Sequence, residues 1–227
     1  MKKILVIAAH PDDEILGCGG TLLNHIGNGD EVYVTILGEG STSRYKELSI
    51  YKDETVDKLR SSAKKVADFM GWKKLFMFSL ADNRFDSVDL LDIIKIIEGV
   101  KDEVKPDLVY THHFGDLNID HRITHDAVLS AFRPLKGESC RRILTFEIPS
   151  STEWGTPASH MSFIPTVYVD ISKTVKKKCD AMAFYESELF PFPHPRSQRA
   201  LMTIAERWGI NVGMEYAEAF ALVRELL

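Results

Sequence analysis

Residues 3–14 read Lys3-Ile4-Leu5-Val6-Ile7-Ala8-Ala9-His10-Pro11-Asp12-Asp13-Glu14, and this stretch decides the fold. A continuous aliphatic run rich in β-branched residues is the signature of a strand buried on both faces of a parallel sheet. Pro11 removes a backbone donor and fixes φ, so the strand cannot run on. From His10 to Glu14 the turn then presents one imidazole and three carboxylates. In open α/β sheets, ligands bind outside the carboxyl ends of the strands. The turn is therefore the first candidate for chemistry.

Downstream, strand and helix patterns alternate. Gly19 to Asn28 reads as a helix closed by Gly27-Asn28-Gly29, and Glu31 to Leu37 as a second strand. Lys52 to Met70 carries apolar residues at helical spacing (Val56, Leu59, Ala63, Val66, Met70) and stops at Gly71. Lys74 to Ser79 is a third strand, Val88 to Val100 a helix, Asp107 to Thr111 a fourth strand, His121 to Ala131 a helix and Arg142 to Ile148 a fifth strand. This order implies an α/β fold. We expect a three-layer, Rossmann-like, mostly parallel sheet with right-handed crossovers and helices on both faces. The C-terminal third reads as an elaboration of it. It has a strand at Thr166 to Ile171, a helix from about Lys173 to Glu188, the Pro-rich loop Phe190 to Pro195, a helix over Ser197 to Trp208 and a last helix over Glu215 to Arg224. No linker, repeat or low-complexity segment interrupts the chain, so residues 1–227 are expected to form one domain.

A second polar cluster follows the fourth strand: His112, His113, Asp116, Asn118, Asp120 and His121. The carboxyl ends of the first and fourth strands can be neighbours at the switch point of such a sheet. Two distant strand ends would thus bring His10, Asp12, Asp13, Asp116, Asp120 and His121 to one edge. A His and carboxylate set without cysteine suits a catalytic divalent metal, zinc first, although Fe²⁺ is also compatible.

Composition narrows the alternatives. The chain has 227 residues, a formal net charge of -5 and a pI near 5.9, which argues against non-specific nucleic-acid binding. Lys176-Lys177-Lys178 reads as a solvated helix face. Three widely spaced cysteines (Cys18, Cys140, Cys179) form neither a disulfide framework nor a metal motif, and free thiols fit a reducing cytoplasm. No targeting segment and no run long enough to span a membrane are visible. Gly17-Cys18-Gly19-Gly20 does not match a dinucleotide loop, and Asp12, Asp13 and Glu14 would repel a phosphate. A nucleotide- or sugar-binding protein without turnover is thus the weaker alternative. His25 and His160 have no notable acidic neighbours in sequence, and His125 is expected to be structural. Arg60 and Arg122 read as surface or ion-pair residues.

Ala9-His10-Pro11-Asp12-Asp13-Glu14 resembles the AHPDDE signature of the PIG-L/LmbE-like zinc deacetylases, and Asp120-His121 resembles that family's second motif. Asp82 to Asp86, His194 to Ser197 and Ala217 to Phe220 follow in the family's order, so the resemblance covers almost the whole chain. It implies that His10, Asp13 and His121 bind zinc and that Asp12 is the general base and later acid. The implied reaction is hydrolysis of an N-acetyl group, usually on an N-acetylglucosamine-type sugar. An amidase acting on a thiol–sugar conjugate is the alternative within the family. The implied partner is a small amino-sugar substrate, free, nucleotide-linked or lipid-linked, and a homo-oligomer is compatible with the chain. Many members carry a histidine three residues before the last zinc ligand, held to stabilise the oxyanion. Here that position is Asn118, whose amide can still donate a hydrogen bond. Alternatively, His112 or His113 supplies the imidazole. Asp120 is expected to orient a ligand or to cap the helix starting at His121. Asp82 and Arg196 are candidate sugar contacts, and Glu14 either contacts the sugar or braces the turn.

Overall fold

A computed structural model describes residues 1–41 and 52–227. Strand β1 (Lys3–Ala8) lies at the centre of a seven-stranded sheet, and its alternation builds two layers at once. Ile4 and Val6 enter the core on one face, while Leu5, Ile7 and Ala9 enter the core on the other. Both faces are buried because helices cover both, as the continuous apolar run requires.

With β2 (Glu31–Gly38), β3 (Lys74–Leu80), β4 (Leu108–His112), β5 (Arg142–Phe146), β6 (Val167–Asp170) and β7 (Ala217–Glu225), the order is β3-β2-β1-β4-β5-β7-β6. Strands β1 to β5 pair in parallel, and β7 lies antiparallel between β5 and β6. Helices α1 (Asp13–Gly27), α2 (Lys52–Met70), α3 (Leu90–Val104), α4 (Ile119–Ala131), α5 (Val175–Met182) and α6 (Gln198–Ile210) complete the chain. The order reverses between β1 and β4, which are paired through Ile4–Leu108, Leu5–Val109 and Val6–Tyr110. The two polar clusters therefore leave the sheet side by side.

Several expectations are corrected. Helix α1 begins at Asp13, not Gly19; the glycines sit inside it, and the chain is non-helical only at Cys18. Those glycines serve close packing, since a Cβ at Gly17 would lie 2.4 Å from the Phe146 ring on β5. The segment expected as a last helix is strand β7. Its Ala- and Glu-rich sequence favours helix locally, but the slot between β5 and β6 offers hydrogen-bonding partners on both sides, and tertiary pairing wins. Helix α5 ends at Met182, short of Glu188. Lys178 does not lie on a solvated face. It is buried, and its ammonium pairs with Glu218 at 2.6 Å.

Candidate active site

The β1–α1 turn is tight. Asp12 takes φ +110°, a left-handed conformation that costs a non-glycine residue of order 1–3 kcal/mol and recurs at functional sites. Neighbouring carboxylates brace it. Asp13 Oδ2 accepts from His10 N at 2.9 Å and Glu14 Oε2 accepts from Asp12 N at 3.1 Å. Glu14 Oε1 also accepts from the Tyr185 hydroxyl at 2.7 Å. The Glu14 side chain is fully buried, and burial lifts its carboxyl to about 7. Of its two expected roles, its position gives the bracing one; it does not line the cleft.

Three histidines converge on Asp13. His10 Nδ1 lies 3.6 Å, His112 Nε2 3.5 Å and His121 Nε2 3.4 Å from Asp13 Oδ2, and ligand atoms of His10, Asp13 and His121 fall within 4.8 Å of one another. The His10 and His121 rings each have a carboxylate behind them. His10 Nε2 lies 2.9 Å from Asp120 Oδ2 and 3.3 Å from Asp82 Oδ1. A carboxylate accepts, so this contact keeps a proton on Nε2 and leaves Nδ1 as the nitrogen that would turn to a metal, the arrangement typical of a metal-bound imidazole. Asp120 is itself fixed by Asn83 N at 2.6 Å and Phe85 N at 3.0 Å. His121 Nδ1 lies 3.1 Å from Asp116 Oδ1, an ion-pair distance without hydrogen-bond alignment. Asp116 accepts from Thr152 Oγ1 at 2.6 Å, from the Ser151 hydroxyl and from Asn118 N at 2.8 Å.

The electrostatics ask for a cation. Burial disfavours a charged His10, yet Asp120 and Asp13 hold its pKa up near 10. His121 is held near 9 against the same burial by Asp13 and Asp116. Burial would raise the carboxyls of Asp13 and Asp116, but the His121 charge overrides it in both. Asp13 falls well below the usual range, and Asp116 to about 2. Asp13 Oδ1 and both ring nitrogens of His121 are buried without a hydrogen-bond partner. Each such group costs about 1–3 kcal/mol. A divalent cation bound by His10, Asp13 and His121 would meet both the field and the unpaired atoms, and the donor set of two imidazoles and one carboxylate suits catalytic zinc.

Beside this cluster opens a polar cleft walled by His10, Asp12, Asp82, Asn118, Glu188 and Arg196, among others. Asp12 faces Arg196, whose Nη1 donates to Asp12 Oδ2 at 2.7 Å while its Nε donates to Ser150 Oγ at 2.9 Å. Burial pushes the Asp12 carboxyl up, and the Arg196 guanidinium works against it. Asn118, not Asp120, caps α4. Its Oδ1 accepts from Asp120 N at 2.8 Å, which leaves its Nδ2 donors for the cleft. His112 takes the Ala9 N–H on Nε2 at 2.9 Å and stacks on His121 with ring centroids 4.0 Å apart. His113 turns to Met161 O at 2.9 Å and His125 to His112 O at 2.9 Å, so neither enters the metal-binding group. His25, read from sequence as lacking an acidic neighbour, pairs with Asp30 at 2.9 Å. Arg122 ties down the strand-end loop by donating to Asp116 O and Leu117 O.

Sequence reasoning gathered Asp116 but gave it no role; its place behind His121 depends on Ser151 and Thr152, far along the chain. Glu188, 3.4 Å from Arg196 Nη1, is a site residue that the sequence does not single out, and no local signal marks it. No helix among the described residues is long and apolar enough to cross a membrane.

Known proteins resemble this chain in sequence and in fold. The chain is similar to the uncharacterized deacetylase YaiS of Escherichia coli (strain K12), with 27% identity over 177 residues, 76% of this chain and 83% of that one. The diacetylchitobiose deacetylase of Thermococcus kodakarensis is 25% identical over 233 residues, covering 98% of this chain and 84% of the relative. In fold, the solved N,N′-diacetylchitobiose deacetylase of Pyrococcus horikoshii matches with a TM-score of 0.79 at 22% identity, over 98% of this chain and 84% of that one. Residues 5–132 match the family model described as PIG-L, GlcNAc-PI de-N-acetylase. The chain belongs to the PIG-L family, and it is a deacetylase, a hydrolase of amide bonds.

Proposed function

We propose that the protein is a zinc-dependent N-deacetylase of small N-acetylglucosamine-type amino sugars or their conjugates. The observation that carries this reading is the convergence of His10, Asp13 and His121, with buried unpartnered ligand atoms, next to a polar cleft that holds Asp12. The matched family's description and the substrate named for the Thermococcus kodakarensis relative support the sugar class.

Zinc held by these three side chains would polarise the amide carbonyl and lower the pKa of a water towards neutrality. Asp12, on the cleft wall, would take a proton from the attacking water and return it to the departing nitrogen as the C–N bond breaks. Arg196, 2.7 Å from Asp12, orients the carboxylate towards the cleft. Asn118 Nδ2, fixed by the cap bond of its Oδ1, donates to the oxygen that becomes negative. Asp120 holds the His10 imidazole in the ligating tautomer through its hydrogen bond to Nε2, and the Asp116 charge backs His121. Asp82 and Arg196, both on the cleft wall, contact the sugar.

Metal analysis of the purified protein, followed by an acetate-release screen over N-acetylated amino sugars and their conjugates, tests the reading. About one zinc per chain and zinc-dependent acetate release are expected. A protein that releases acetate at the same rate with its metal stripped would overturn it.

A further inference from the structure

Helix α1 is interrupted at Cys18, where φ is −147° and ψ is 15°. In an unbroken helix Gly20 N–H would donate to Leu16 O and Thr21 N–H to Gly17 O. Those two donors go instead to one side chain. Gly20 N donates to Glu218 Oε1 at 2.9 Å and Thr21 N to Glu218 Oε2 at 2.7 Å. The acceptor side of the gap is filled as well, by Lys178 Nζ, which donates to Leu16 O at 2.9 Å and to Glu218 Oε1 at 2.6 Å. The carboxylate takes the donors of the interrupted ladder and the ammonium takes its acceptor. Both side chains are buried, with residue exposures of 6% for Lys178 and 4% for Glu218.

The segment upstream of the break, Asp13 to Gly17, carries Asp13 and Glu14 at its start. Leu16 lies within one helical turn of Asp13, so what holds the Leu16 carbonyl also sets the direction from which Asp13 meets His10 and His121. The downstream half is anchored separately, with Gly20 so close to Ile171 that a Cβ would lie 2.8 Å from its side chain. A buried ion pair adds little net stability, since an apolar pair of similar volume often does as well or better. A pair placed where a helix must change direction, with each charge spent on one side of the gap, fits a geometric task better than a stabilising one.

We propose that Lys178 and Glu218 are positioning residues: the pair holds α1 open at Cys18 and thereby aims the short segment that presents Asp13 to the metal. The proposal rests on the reading of His10, Asp13 and His121 as zinc ligands. It enlarges the machinery of the site to α5 and β7, two elements that line none of its cleft.

The test is the double variant Lys178→Met/Glu218→Leu, which removes both charges together and lets the ladder close. A crystal structure should show Gly20 N donating to Leu16 O, and chelator competition should show a loss of about 10- to 100-fold in zinc affinity, the range seen when groups supporting metal ligands are removed. The value of kcat should fall with it, while KM stays within about twofold, since these residues hold the backbone of the segment that carries Asp13 and line none of the cleft. A purely structural role predicts a lower melting temperature with unchanged zinc affinity of the folded protein, and that result would overturn the proposal. Should the double variant not fold, Lys178→Met alone, which keeps the two backbone bonds to Glu218 but takes the ammonium from both Leu16 O and the Glu218 carboxylate, should lose about tenfold in zinc affinity, and no loss there overturns the proposal equally. A wild-type protein that binds no zinc through His10, Asp13 and His121 would defeat the ligand reading itself; zinc-replete wild type with an unaffected variant defeats the positioning role alone.

Discussion

Replacing Asp120 by asparagine isolates the support behind His10. The Asp120 carboxylate is fully buried and holds three donors: His10 Nε2 at 2.9 Å, Asn83 N at 2.6 Å and Phe85 N at 3.0 Å. An amide of the same shape has one accepting oxygen and one donating nitrogen. His10 Nε2 and Asn83 N share Oδ2, while Phe85 N meets Oδ1. With Nδ2 in the place of Oδ1, the buried Phe85 N–H faces another donor and His10 keeps its acceptor. With Nδ2 in the place of Oδ2, Asn83 N–H loses its acceptor, Nε2 must accept and the imidazole proton moves to Nδ1, the nitrogen that faces Asp13. Each hydrogen bond to the charged group so lost costs about 1.5–3 kcal/mol. Only the second orientation reaches the metal, and the loss at His10 corresponds to about 10- to 150-fold in zinc affinity. Chelator competition on the Asp120→Asn protein, paired with a thermal melt of the metal-free form, separates the two. The expected result is weaker zinc binding at least tenfold, with the metal-free protein still folded. Zinc affinity within twofold of wild type would refute the argument that Asp120 fixes the ligating tautomer.

Three further outcomes follow from the same contacts. Asn118→Asp keeps the acceptor for Asp120 N, and hence the helix cap, but removes the Nδ2 donors; kcat should fall by about 10²–10³ with the melting temperature little changed, and an unaltered kcat would remove Asn118 from the oxyanion site. Stripping the metal at a zinc concentration a thousandfold above Kd removes about 4.1 kcal/mol of stabilisation, so calorimetry should show melting lowered by about 8–16 °C for a chain of this size. Gly17→Ala places a Cβ 2.4 Å from the Phe146 ring, and urea unfolding should report a loss of about 1–3 kcal/mol, with no loss meaning that α1 and β5 can separate freely.

How far the sequence could be read depended on the range of the forces that shape each element. The β1 run and the clusters after β1 and β4 were legible because strand ends and polar turns are local patterns, and the switch point joins them in any doubly wound sheet. Strand β7 was not legible, because Ala217 to Glu225 has helical composition and becomes a strand only when β5 and β6 present their edges. Lys178 looked solvated because its partner Glu218 lies 40 residues away. The start of α1 was masked by Gly17, Gly19 and Gly20, of which Gly17 packs against Phe146 and Gly20 against Ile171, so that they serve the helix and not a loop. Among the site residues, Asn118 and Asp120 exchanged capping duties. Asp120 sits in the first turn with its carboxylate turned towards His10, while Asn118 takes the cap that frees its amide donors.

The separation of duties between adjacent aspartates is the centre of the account: Asp13 beside the two imidazoles, Asp12 on the cleft wall against Arg196. The most direct test is to measure metal content and acetate release side by side in Asp12→Asn. The account predicts about one zinc per chain, as in the wild type, with acetate release from N-acetylated amino sugars abolished. An Asp12→Asn protein that retains zinc and hydrolyses at the wild-type rate would contradict it.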